Sequence, residues 1–130
     1  MSPMSKETAR VLVLDGNPGA QAEIGRIFHN DDLAIDFCSR IVDAVRSLKE
    51  SPYVAAVVDV GLADAPWDQA VGILKAVDTR LPIILTAEKN TRELEIKVRE
   101  QDIFYYYIKS FDAEELRLAV LEAMRLYRAP

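Results

Sequence analysis

Several residue types are nearly missing from this chain, and each shortage closes a route. Only one cysteine, Cys38, occurs in 130 residues. An intramolecular disulfide is therefore excluded, and the composition fits a reducing compartment. Cys38 lies inside a strand-like run, where a small buried apolar role outweighs a reactive one. The lone histidine, His29, has no cysteine or second histidine at metal-ligand spacing, so a surface or capping role is expected. Positive charge is also in deficit. Sixteen Lys and Arg stand against 21 Asp and Glu, a net charge of -5. No basic patch is present to displace phosphate counterions, which argues against direct binding of nucleic acid. No apolar run is long enough to cross a bilayer. Met1 to Arg10 contains no apolar stretch of the kind a signal peptide needs. A soluble cytoplasmic protein without a membrane partner is expected.

Half of the residues are hydrophobic, and the length suits one domain with a core of its own. The expected layout is an N-terminal tail over 1–9 and a folded domain over 10–127. Arg128-Ala129-Pro130 is where a connection to a further segment would start. The domain is organised around Tyr53-Val54-Ala55-Ala56-Val57-Val58-Asp59. This run is β-branched, too short for an ordinary helix, and bounded by Ser51-Pro52 and Gly61. It reads as a strand buried on both faces, in the middle of a parallel sheet. Asp59 then stands at the carboxyl end of that strand, the edge where open α/β sheets place their chemistry. A carboxylate that merely caps the turn is the competing reading.

Four further strands flank it. Arg10 to Asp15 is a second buried run ending in an acid. Leu33 to Cys38 alternates as a strand nearer the sheet edge. Leu81 to Thr86 carries its proline at the strand start, where a missing N–H is harmless. Phe104 to Ile108 is aromatic-rich and is followed by Lys109. Helices are expected between them: Pro18–His29 with Asn17 as cap, Ile41–Lys49, Pro66–Val77, a helix to Glu100 opened by a capping box at Asn90 to Glu93, and a last helix to Tyr127 opened by Asp112 to Glu115. Strand and helix alternate five times. That pattern implies right-handed βαβ crossovers and a parallel sheet covered on both sides.

Parallel strands put Asp15, Asp59, Thr86 and Lys109 at one edge. Two carboxylates, a hydroxyl and an ammonium together suit phosphoryl transfer onto a carboxylate. Asp59 is the expected nucleophile. Asp15 would help hold Mg²⁺, a hard cation bound by oxygen. Lys109 would neutralise charge on a phosphoryl oxygen and pair with Asp59 at rest. Thr86 would hydrogen-bond a phosphoryl oxygen, with small Ala87 leaving the approach open.

In this order the residues resemble the receiver domain of two-component response regulators. The likeness covers about Arg10 to Tyr127, through Val11 to Asp15, Val57-Val58-Asp59, Leu81 to Ala87 and Ile108 to Leu116. It implies a flavodoxin-like, doubly wound, five-stranded parallel sheet of order 2-1-3-4-5 with five helices. It implies a phosphoprotein rather than an enzyme, with Asp59 phosphorylated by a histidine kinase or a phosphotransfer protein. Asp15, Asp59 and the Gly61 backbone carbonyl would hold Mg²⁺, with Thr86 and Tyr106 as the switch pair. An effector domain or partner protein would be bound, or a homodimer formed, through the fourth helix, fifth strand and fifth helix.

The departures from the family pattern are specific. The second acid after the first strand, a direct metal ligand in the family, is Gly16 here, so a weak metal site is expected. The family's Lys-Pro dipeptide is Lys109-Ser110. A cis bond before a non-proline residue costs about 2.5–4 kcal/mol, so a trans bond is expected there. The proline and glycine that usually follow the phosphorylated acid are Ala63 and Trp67, and Trp67 is either a lid over the site or an anchor for the helix start. Two other readings stay open: an interaction module of the same fold that works without metal-dependent phosphorylation, and an enzyme or flavin carrier. The last needs a phosphate loop after the first strand, where Pro18 removes a required N–H. Of the tyrosines at 105–107, alternate rings should face opposite sides of the sheet.

Overall fold

Strand and helix alternate without interruption in a computed structural model of the chain, which describes residues 8–109 and 112–128. The elements are β1 (Ala9–Leu14), α1 (Gly19–Ile27), β2 (Leu33–Cys38), α2 (Ile41–Glu50), β3 (Ala55–Asp59), α3 (Trp67–Val77), β4 (Ile83–Ala87), α4 (Arg92–Glu100), β5 (Tyr105–Ile108) and α5 (Ala113–Arg128). All strand pairs are parallel, in the order β2-β1-β3-β4-β5. This is the flavodoxin-like topology expected from the sequence. The peptide bond between Lys109 and Ser110 lies outside the described residues.

The sheet separates two cores. On one side Val11, Val13, Val57, Ile84 and Tyr107 pack with Ile24 and Phe28 of the α1 region and with Leu116, Val120 and Ala123 of α5. On the other, Leu12, Leu14, Val58 and Leu85 pack with Ala44 of α2 and Trp67, Val71 and Leu74 of α3. Successive residues of each strand thus enter opposite cores, which is why the inner strands read as unbroken apolar runs. The tyrosines follow the same rule. Tyr105 and Tyr107 lie on the α1–α5 side and Tyr106 on the other. Trp67 is buried in the second core at the first position of α3, so it anchors that helix.

Element ends differ from expectation for local reasons. Tyr53 precedes β3 rather than opening it, and its hydroxyl donates to Asp36 Oδ2 at 2.6 Å. Burial, helped by the neighbouring Asp36 carboxylate, pushes the Tyr53 phenol up to about 12. β4 starts at Ile83 because Pro82 has no N–H to give, although its carbonyl still accepts from Ala56 N at 3.0 Å. α1 ends at Ile27. His29 Nδ1 hydrogen-bonds the Arg26 carbonyl at 2.9 Å, a capping contact at the end of the helix. Asn17 accepts from Gly19 N at 2.9 Å, so it closes the start of α1 across Pro18. α4 is capped by Thr91, not Asn90: the Thr91 hydroxyl accepts from Leu94 N at 3.1 Å. Asp112 accepts from Glu114 N at 3.0 Å, as its expected capping role requires.

Leu74 is fully buried on the inner face of α3. Leu74→Ala should lower stability by about 2–5 kcal/mol, the transfer term plus the cavity left behind. Urea unfolding followed by circular dichroism should show a lower midpoint at unchanged slope.

Candidate functional site

The parallel register delivers the four expected groups to one edge. Asp59 is the last residue of β3 and pairs in register with Thr86 of β4. Asp15 follows β1, and Lys109 follows β5. Ladder bonds continue past the strand ends, Asp15 N to Cys38 O at 3.0 Å and Lys109 N to Ala87 O at 2.8 Å. These fix both backbones at the site. Lys109 Nζ reaches Asp15 Oδ2 at 2.7 Å and Asp59 Oδ1 at 3.1 Å. Thr86 Oγ1 donates to Asp59 Oδ1 at 2.7 Å, and Gly61 N donates to Asp59 Oδ2 at 2.9 Å. Asp15 Oδ1 accepts from Asn17 N at 2.8 Å. Each carboxylate therefore receives one backbone N–H on one oxygen and the shared ammonium on the other.

The site is largely dry: the Asp15 and Asp59 side chains are 8% and 10% exposed, and Lys109 is 20% exposed. Burial works against the Lys109 charge. The hydrogen bond to Asp15 and the charges of Asp59 and Asp15 outweigh it, and hold the ammonium above its ordinary value. Lys109 thus stays a cation at neutral pH.

Two glycines permit the close approach. A Cβ on Gly61 would stand 3.1 Å from Asp59 Oδ2, and a Cβ on Gly16 would stand 3.1 Å from the Gly61 carbonyl oxygen. The side of the site where the Gly61 carbonyl lies is therefore the side that a residue 16 side chain would enter. Among the described residues no group of three or more His, Cys, Asp or Glu is placed to hold a metal together. Two carboxylates and one carbonyl oxygen are still a workable set for Mg²⁺, which commonly takes one or two carboxylates and fills the rest with water and phosphate oxygen. The residues fit the ion in reduced form.

Tyr106 is not part of this cluster. Its hydroxyl donates to Asn90 Oδ1 at 2.9 Å. The sequence pattern offers Asn90 as the helix cap and so conceals it as the partner of Tyr106. Thr91 holds that position, which leaves the Asn90 amide for the strand. Beside the site, a cavity of about 490 Å³ opens between the start of α1 and β5, with Asp15, Thr86 and Lys109 at its edge and Val13, Val57 and Tyr107 in its floor.

Gly16→Asp should bind Mg²⁺ more tightly than the natural sequence, by about tenfold for one added charged ligand, equal to 1.4 kcal/mol. Calorimetric titration measures it, and equal affinities would remove Gly16 as the cause of a weak site. The raised Lys109 ammonium makes a second prediction. Its stabilising contribution is complete below the unfolded-state value of 10.5 and is lost as pH rises through the higher folded-state value. The stability difference between the natural sequence and Lys109→Met should therefore shrink as the pH is raised above 10.5. Urea midpoints measured as a function of pH test this.

The profile of the response regulator receiver domain matches residues 11–121. No match was found among curated protein sequences. Solved structures match over nearly the whole chain. The signal receiver domain of an HD domain-containing protein from Pseudomonas fluorescens Pf-5 has a TM-score of 0.86 at 16% identity, covering 95% of this chain and 100% of that one. A CheY-like response regulator receiver domain protein from Methanospirillum hungatei JF-1 has a TM-score of 0.83 at 12% identity, covering 93% and 97%. The beryllofluoride-activated NtrC4 receiver domain dimer has a TM-score of 0.82 at 19% identity, covering 91% and 98%. At these identities the structures speak for the fold alone, whereas the profile spans most of the sequence. The chain belongs to the response regulator receiver domain family.

Proposed function

We propose that this chain is a phosphorylation-controlled signalling module of a two-component pathway, with Asp59 as the phosphoacceptor and residues 10–127 as the switching unit. The observation that carries the reading is the Lys109 ammonium seated between Asp15 and Asp59, with Thr86 on the same Asp59 oxygen. An Asp59 carboxylate oxygen forms the new bond to phosphorus as the bond between phosphorus and the donor nitrogen of a phosphohistidine breaks. Lys109, already cationic, compensates the charge brought in on the phosphoryl oxygens. In this reading the Thr86 hydroxyl turns from Asp59 Oδ1 to a phosphoryl oxygen, and the Gly61 N–H steadies the other carboxylate oxygen. Asp15, Asp59 and the Gly61 carbonyl are the residues that would hold Mg²⁺. When bound, the ion supplies charge neutralisation between the carboxylates and the phosphoryl oxygens.

The phosphate donor in this reading is a histidine kinase or a phosphotransfer protein. The output is a partner or effector contact, or a homodimer, through α4, β5 and α5. Exposed Ile96 on α4 and Leu118 on α5 supply apolar area for it, and a receiver relative of the same fold is known as a dimer. No described helix is long and apolar enough to cross a membrane. The cytoplasm is the compartment that fits a kinase partner and the single cysteine.

A second reading is an interaction module of the same fold that works without metal-dependent phosphorylation. Gly16 in place of a carboxylate favours it. One experiment separates the two. The protein is treated with acetyl phosphate or phosphoramidate with and without Mg²⁺, and intact mass is recorded. One added phosphoryl group, lost in Asp59→Asn, supports the switch; no adduct at any Mg²⁺ concentration supports the metal-independent module.

A further inference from the structure

The fourth helix is held differently from its neighbours. α3 buries Trp67, Ala70, Val71 and Leu74, whereas α4 buries no residue. Only Leu94 and Val98 lean on the core, each half-buried. Polar ties do the rest: on one side an exposed ion pair joins Lys97 Nζ to Asp68 Oδ2 of α3 at 3.6 Å, and on the other a chain of hydrogen bonds reaches β5. The Tyr106 hydroxyl donates to Asn90 Oδ1 at 2.9 Å, and Asn90 Nδ2 donates to Glu95 Oε2 at 2.9 Å. Arg99 completes the chain with a bond to Glu95 Oε1 at 3.1 Å. One amide thus joins β5 to the first turn of α4. Its orientation follows from chemistry: the Glu95 carboxylate only accepts, so it faces the NH₂ group, and the amide oxygen is left for the phenol.

We propose that Asn90 is a release pin for α4: its amide fastens the first turn of that helix to Tyr106 on β5, and breaking the pin loosens α4 from the sheet. Asn90 is exposed, so the pin is a weak one that a small bias can open. Displacement of Tyr106 is one such bias. That second limb, which makes α4 respond to Asp59, rests on the proposed phosphoacceptor role; the first limb does not. Thr91 caps α4 independently, so losing Asn90 detaches the helix without uncapping it.

Hydrogen exchange of the α4 amides, resolved by NMR, tests the pin in the intact chain. Asn90→Ala and Tyr106→Phe should each speed exchange over residues 95–100 by about two- to tenfold, the range set by one ordinary hydrogen bond. The double variant should match Asn90→Ala, because the one contact that Tyr106→Phe removes is already lost with the Asn90 amide. Thr91→Ala should add to Asn90→Ala. Unchanged α4 rates in both single variants, additive effects in the double variant, or an acceleration that spreads to β3 would each overturn the pin. Beryllofluoride with Mg²⁺ then tests the second limb. Bound fluoride seen by ¹⁹F NMR together with faster α4 exchange supports it. Bound fluoride with unchanged α4 overturns the limb and leaves the Asp59 reading standing. Absence of bound fluoride counts against the Asp59 reading, while the variants still decide the pin.

Discussion

Two carboxylates that are nearly out of water cannot share a sheet edge unless a cation joins them, and here Lys109 does so. The ammonium comes from the end of β5 and reaches across to acids at the ends of β1 and β3. Each carboxylate has a backbone N–H on its remaining oxygen, from Asn17 and from Gly61. The loops after β1 and β3 are therefore shaped by their own acids as well as by the fold. Breaking the bridge would leave two neighbouring negative charges with little solvent to screen them, the costly kind of buried ion.

Most of the fold was open to reading in advance. The strands around β3 are short, β-branched and apolar on both faces, and that pattern has few solutions other than a central parallel strand. Once the crossovers share one hand, the carboxyl ends of all strands meet, and Asp15, Asp59, Thr86 and Lys109 come together by topology alone. What could not be read is what each group does when no ligand is considered. The Thr86 hydroxyl rests on Asp59, and Lys109 prefers Asp15 by the shorter distance. Those choices depend on tenths of an ångström.

Helix starts show a second limit. Asn90 and Thr91 are both good caps and are adjacent, and a sequence pattern cannot say which one turns inward. Thr91 takes the helix, and Asn90 is released to meet the strand. Trp67 has two possible roles in the sequence for a similar reason: a large aromatic after a loop packs down or stands up according to the space beneath it. Val71, Leu74 and Leu14 form an apolar bed on that side of the sheet, and the ring lies in it.

The pairing of the first helix with the last has a consequence for how the protein is made. The core on the α1–α5 side needs Leu116, Val120 and Ala123, all from the final element of the chain. Arg117 of α5 also forks onto both oxygens of Asp31, in the turn after α1, at 2.9 Å. While a ribosome is still building α5, the face that β1 and β3 turn to this core is covered by the α1 region alone. A nascent chain of this topology must wait with that face only part-covered until α5 arrives. Holding chaperones would find their binding surface on that side, and a truncation within α5 would cost far more than its length suggests.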